Sequence, residues 1–353
     1  MLKKTIPLII VALLVSLLVG CNGTAETITA IELVPQSADI VGKINISQIL
    51  GDKDLTGLYD SLSKDSDTPQ TFDDAVDMVI EEAGIDLRDF EEALIFGDTS
   101  SSTEDTNYFG AIVEGTFTKG DLIAAIEEAV DIELNPFDYK GYEIYTDQDQ
   151  QLAIVFLNDE TFVIGTVELV KDVIDVKEGD EPVLSGEVLD RYNELGDVLM
   201  KVAASIASEL TGGALEDAQD FIPIPIDLSA LADIEMAALT LDKEEQSIAL
   251  DLVFCFSDAK SAKAVKALIT LATAMIDMFE IPQEGPGEIP IPQEAQELLP
   301  ELFDKLDVEV VDSCLTISLQ MTLSEIEDLL AEQEAESRPA SHREQQERLK
   351  VRR

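Results

Sequence analysis

Apolar residues along the chain fall into two spacings. Short runs alternate every second position and read as strands, and longer ones recur at three and four and read as amphipathic helices. Ile40-Val41-Gly42-Lys43-Ile44-Asn45 is the first predicted strand. Phe72 to Ala83 follows as a helix with Val76, Ile80 and Ala83 on one face, closed by Gly84 as a C-terminal cap. Ala93 to Phe96 begins another strand. The Ser-, Thr- and Asp-rich stretch from Gly97 to Asn107 predicts a hairpin loop. Tyr108 to Phe117 is the return strand. Asp121 to Val130 is a helix with Leu122, Ala125, Ile126 and Val130 inward. Three short strands (Gly141–Tyr145, Leu152–Phe156, Phe162–Thr166) lead to a closing helix over Val167–Val176.

The same order then recurs. A strand is expected from Asp197 to Val202, with helical segments up to Leu231. Ile234–Leu241 and Ile248–Phe256 make a hairpin around Asp242-Lys243-Glu244-Glu245. A long helix runs from Asp258 to near Phe279. Val308–Val311 and Cys314–Met321 form a second hairpin, and Thr322–Ala331 closes the series. Three local parallels tie the halves together. Ile40–Ile44 matches Val198–Val202, each with a lysine near its end. Val113–Phe117 matches Leu252–Phe256, and Val163–Asp172 matches Ile317–Ile326. The expected fold class is α+β: two similar halves, each with a mainly antiparallel sheet covered by helices on one face. Whether the two sheets join stays open at this point. Phe221–Ile226 and Ile281–Pro292 carry prolines that forbid helix interiors and central strands, so they read as extended loops packed by their isoleucines.

The N-terminus breaks this pattern. Lys3 and Lys4 precede an uncharged apolar run from Ile6 to Val19. The run is about 14 residues long, where a spanning helix needs roughly 20. Charged start, short apolar run and small-residue end are the parts of a secretion signal. The run ends in Leu18-Val19-Gly20-Cys21, which resembles the lipobox of prokaryotic lipoproteins. The resemblance implies cleavage before Cys21 and diacylglyceryl attachment to its thiol. Two acyl chains meet the two-signal requirement for stable anchoring. It also implies an extracytoplasmic location at the cell membrane or surface. Asn22 departs from the aspartate that marks inner-membrane retention in that family. The body is similar to a group of uncharacterised duplicated α+β lipoproteins, on the strength of Leu33–Asp39 before the first strand and Gly84–Leu87 before the second. That similarity implies no activity. The expected organisation is a signal peptide (1–20), a tether (21–30), two repeats (31–180 and 181–333) and a basic polar tail (334–353).

Composition sharpens the partner question. The hydrophobic fraction is 46% with no Trp, so a core must be aliphatic. The formal net charge is -50. Setting aside Lys3, Lys4 and the tail from Ser337, residues 21–336 hold 15 basic against 71 acidic side chains. Such a surface repels nucleic acid and anionic headgroups, and suits cations, basic proteins or a salty medium.

Candidate chemistry is sparse. The only histidine is His342, in the tail, which removes a catalytic triad or a histidine metal site from the core. There is no phosphate loop, dinucleotide fingerprint or nucleophile elbow, and no motif calls for a cofactor. Asp65-x-Asp67 and Asp147-x-Asp149 are fragments of a calcium loop that do not continue. Cys255 and Cys314 lie in predicted strands and are either a bridge or two buried thiols. Lys260, Lys263 and Lys266 form a basic stripe on the helix from Asp258, and Met275 and Met278 follow in its apolar part. That helix is either a core element or one wall of a groove for an apolar, lipid-like ligand. Three functional readings follow: a non-enzymatic binding or interaction module, a carrier for an apolar ligand, and a hydrolase or metal-dependent enzyme of unrecognised type.

Overall fold

The computed structural model describes residues 29–63, 69–103, 106–206, 229–276, 302–303 and 305–328. The signal, Cys21, both proline segments, Asp65-x-Asp67, Met278, His342 and the tail lie outside them.

Among the described residues, one antiparallel sheet of twelve strands forms the frame. Its strands are β1 (Ile40–Asn45), β2 (Phe90–Thr103), β3 (Thr106–Gly115), β4 (Asn135–Tyr139), β5 (Tyr142–Thr146), β6 (Ala153–Phe156), β7 (Thr161–Gly165), β8 (Met200–Ser205), β9 (Ile234–Glu244), β10 (Ser247–Phe256), β11 (Leu306–Val311) and β12 (Cys314–Thr322). The spatial order is β11-β12-β10-β9-β8-β1-β2-β3-β7-β6-β5-β4. The halves therefore join, through the pairing of β1 with β8. Outward from that pair the order repeats: β1-β2-β3-β7-β6 on one side, β8-β9-β10-β12-β11 on the other.

The α+β class is as expected, and the first half adds a second helical layer. On the back, α1 (Ile46–Gly51), α2 (Lys53–Leu62), α3 (Phe72–Ala83) and α4 (Lys119–Val130) accompany the sheet. There Ile46, Ala93, Ala111, Val113, Leu122, Ile126 and Phe162 share one core. On the front, α5 (Val167–Glu178) and α6 (Glu187–Glu194) pack against Val41, Leu94, Phe96, Ile112 and Val163. Ala111 and Ile112 alternate between the two cores, as the two-residue period of a strand requires. In the second half the back face is closed by α7 (Ala259–Ile276), whose Ala262, Val265 and Ile269 meet Phe254, Phe256, Leu315 and Ile317.

Local chemistry sets the element ends. The Thr71 hydroxyl caps α3, and Gly84 ends it at φ 68°. Asp52 accepts from the N–H groups of Asp54 and Leu55 at the start of α2. Three elements depart from the sequence reading. The polar stretch expected as a loop instead extends the β2–β3 hairpin, with Thr103 opposite Thr106. Its threonines suit a strand as well as a turn. The strand expected from Asp197 starts at Met200, because Gly196 turns the chain at φ 74° after α6. β4 and α6 carried no predicted element.

The acidic surface is tied down by tyrosines. Tyr108 donates to Asp172 (2.7 Å), Tyr139 to Asp175 (3.0 Å) and Tyr142 to Glu178 (2.8 Å). The three acids recur every third residue along α5, so one helix edge meets β3, β4 and β5. Burial first, and then Glu178, push the Tyr142 hydroxyl up to about 12.

Close approach of α5 depends on two glycines. Gly110 and Gly165 face each other across β3 and β7. A Cβ on Gly110 would lie 2.6 Å from the Ile164 carbonyl oxygen and 2.6 Å from Leu169 Cδ2. Gly110→Ala should therefore cost about 1–3 kcal/mol through overpacking, read as a lower denaturant midpoint with an unchanged slope.

Candidate functional site

The β1–β8 ladder places Lys43 directly opposite Lys201. These are the two lysines that mark the repeated strands in the sequence, so each meets its own counterpart at the junction. Like charges directly opposite are unfavourable, and the structure resolves them differently. Lys43 pairs with Glu92 at 2.6 Å and Asp197 at 3.6 Å. Lys201, buried, donates to the carbonyls of Tyr192 (3.2 Å) and Gly196 (2.6 Å), with its ammonium 4.0 Å from the Tyr192 ring centroid. Burial works against the charge on Lys43, but the hydrogen bond and charge of Glu92, with Asp197, raise it overall. Burial and then the Lys43 charge lower Lys201.

The register explains the asymmetry. In the first half the row beyond Lys43 is Asn45, Glu92, Glu114. The corresponding row in the second half is Ala203, Ala238, Val253. Lys201 has no carboxylate at the position where Lys43 has one. Glu114 sits beside Glu92, and its carboxyl is pushed up to about 7 by burial, then by the charges of Glu92 and Glu91.

The next row reverses the polarity. Lys43 is followed across the sheet by Leu94, Ile112 and Val163, which are buried beneath α5. Lys201 is followed by Thr240, Asp251 and Ser318. These are hydrogen-bonded to one another: Ser318 to Asp251 at 2.5 Å and Thr240 to Asp251 at 3.5 Å. A core row in one half is thus a polar row in the other. The parallel between Val163 and Ile317 is shifted by one: the ladder sets Val163 against Ser318. Alternation carries Asp242, Glu244, Asp307 and Glu309 to the same front face, and Glu244, Asp307 and Glu309 are exposed. Among the described residues, α6 is the helix that packs on the front of this half, along β8 and β9.

Cys255 and Cys314 face each other across β10 and β12 and form a disulfide. It lies on the front face beside α6. The Arg191 guanidinium is 3.1 Å from Cys255 Sγ and 3.5 Å from Cys314 Sγ, and is also paired with Glu194 at 3.0 Å.

The remaining sequence candidates separate. Lys260 and Lys263 are exposed, whereas Lys266 is half-buried and donates to the Val308 carbonyl at 2.5 Å. The apolar residues of α7 that face the sheet form core, and Leu271 is 48% exposed. Met275 lies in α7. Asp147 is engaged in its own turn, accepting from the Leu152 N–H at 2.9 Å. A polar cleft of about 500 Å³, bounded by Gln48, Asp52, Leu199, Asp242 and Lys243, lies at the junction. Lys243 spans it with 2.6 Å ion pairs to Asp52 and Asp54. Glu114 and Arg191 had no signal in the sequence. Each is one charged residue among many, and only the register singles it out.

Raising the Glu114 carboxyl makes a pH prediction. Its folded value lies above its unfolded value, so its contribution is full below about 4.5 and is lost as pH rises towards about 7. Glu114→Gln should flatten the fall in stability between those values and raise stability above pH 7. The gain should be no more than about 3 kcal/mol, and less after discounting for partial exposure. Thermal unfolding as a function of pH measures it.

No protein-family model matches the chain. No curated protein matches it. Among solved structures it is similar to crystal form I of TP0453, at 9% identity, covering 87% of this chain and 98% of that one with a TM-score of 0.45. Crystal form III of TP0453 gives the same identity and TM-score, covering 87% of this chain and 100% of that one.

Proposed function

We propose that the protein is a lipid-anchored, extracytoplasmic interaction module whose second-half sheet presents an acidic face to a basic protein partner. The observation that carries this reading is the change of one core row, Leu94-Ile112-Val163, into Thr240-Asp251-Ser318. A sheet face that has lost its apolar row has little to bury under a helix. With Glu244, Asp307 and Glu309 exposed on it, it is shaped to meet positive charge. The described basic residues reinforce this. Lys43, Arg88, Lys119, Lys140, Arg191, Lys243 and Lys305 are all held in ion pairs within the molecule. The exposed charged side chains that the register places on this face are carboxylates. The anchor at Cys21, read from the lipobox resemblance, would keep the face near a bilayer.

Binding to an oligolysine peptide tests the face. Neutralising Glu244, Asp307 and Glu309 together (E244Q, D307N, E309Q) should weaken binding about tenfold, at roughly 0.5 kcal/mol per charge. The same number of changes in the first half, at Glu81, Asp121 and Glu128, should weaken it far less. Equal losses from the two sets would reject the face as the docking surface. Metabolic labelling with a fatty-acid analogue tests the anchor: label should be absent from Cys21→Ser, and label retained there would refute attachment at that residue.

A further inference from the structure

The bridge between Cys255 and Cys314 joins two neighbouring strands, so opening it does not by itself separate them. The two cysteines are directly opposite in strands that are already paired from Ser247–Thr322 to Cys255–Cys314. The Phe256 N–H also donates to the Ser313 carbonyl at 3.0 Å, just beyond the bridge. Opening the sulfur–sulfur bond would leave that ladder in place. Both cysteines are partly exposed, and Cys314 opens the outer hairpin after Val311, which is 62% exposed. The sulfurs also have a cation. Arg191 reaches both, and is closer to Cys255. Its helix is fixed by Val188 and Tyr192, buried in the front core, so the guanidinium is held in place.

We propose that Cys255–Cys314 is a thiol–disulfide exchange site, with Arg191 holding the departing Cys255 thiolate. The thiolate of an external dithiol attacks Cys314 Sγ on the exposed side. The Cys255–Cys314 bond breaks, and its electron pair passes to Cys255 Sγ beside the guanidinium. The second thiol of the donor then attacks its own sulfur in the mixed disulfide and releases Cys314. The donor leaves as a disulfide, and the two electrons and two protons it gives up appear as the two cysteine thiols. A neighbouring cation stabilises a thiolate, and a better leaving thiolate departs faster. Glu194, bound to the same guanidinium, tempers that effect.

The geometry allows two roles for Arg191 that predict opposite signs. If it only shields the bridge, removing it speeds reduction; if it holds the leaving thiolate, removing it slows reduction. Reduction of the full chain by dithiothreitol, followed by mass spectrometry, reads the difference. Arg191→Ala should be about threefold slower, the effect of a pKa change of about one unit with a Brønsted slope near 0.5, and Arg191→Lys should recover most of the rate. Glu194→Gln, an exposed change that frees the guanidinium, should be faster than the wild type, and it keeps the test available if Arg191→Ala fails to fold. Alkylation of the reduced protein against pH should place Cys255 below the ordinary thiol value of about 8.5, moving up in Arg191→Ala. Faster reduction in Arg191→Ala, no change in either variant, or a Cys255 that titrates at the ordinary value would overturn the proposal.

Discussion

The pairing of β1 with β8 is the constraint on which the rest of the structure depends. It is the ladder that turns two sheets into one. It also sets a rule for the residue at its centre. When repeated strands pair antiparallel about a common midpoint, the residue at that midpoint meets its own counterpart, and here a lysine meets a lysine. The charges of Lys43 and Lys201 cannot both be answered in the same way, because the next row holds Glu92 in one half and Ala238 in the other. One ammonium takes carboxylates, and the other takes carbonyls and a tyrosine face. The asymmetry fixes α6 as well, since Tyr192 and the turn at Gly196 supply those carbonyls. Arg191 lies on the same helix, so the partner of the disulfide is positioned by the packing that satisfies Lys201.

A chain this acidic needs uses for its carboxylates. Some cap helices: Asp52 at α2 and Asp258 at α7, where it accepts from Lys260 and Ser261. A negative group at a helix N-terminus also meets the positive end of the helix dipole. Others accept from tyrosines along α5 or draw lysines into pairs. The remainder face solvent. They repel one another there, and the described cations are largely engaged within the fold. The surface therefore stays negative without any single region having to be dedicated to it, except where a core row has been replaced by polar residues.

Most of the strand pattern was legible because short runs rich in Val, Ile and Phe mark strands; β3, buried on both faces, reads as a continuous apolar run. The match of Val113–Phe117 to Leu252–Phe256 agrees with the ladder, and the match at Val163 slipped by one because residues in that stretch are apolar in both phases. β4 was hidden by Pro136, which an edge strand tolerates because one side of its ladder is unpaired. α6 was hidden by length: in eight residues Val188 and Tyr192 are the only side chains buried, too few to establish a period. The site was less legible than the fold. The two lysines were visible as a repeat feature, but their opposition is a fact of register. Glu114 is one carboxylate among 73 acidic residues, and it becomes unusual only beside Glu92 on a covered face. The sequence left a bridge and two buried thiols equally open for Cys255 and Cys314, because strand pairing, which decides the matter, is non-local.

The two halves also differ in what holds their outer strands. In the first, β3 and β7 are clamped between two cores, with Leu94, Ile112 and Val163 buried on the front. Burial of each such side chain contributes about 1.5–3 kcal/mol. The second half has lost that row and gained hydrogen bonds among Thr240, Asp251 and Ser318, worth about 1 kcal/mol each. The disulfide, at a sequence separation of 59, restricts the unfolded chain by about 4 kcal/mol in the chain-entropy view. That is comparable to one or two of the lost apolar side chains. The bridge therefore offsets much of what the polar row gave up. A covalent link between neighbouring strands adds stability without adding a packed layer, and it makes the stability of this half sensitive to the redox state of two sulfurs.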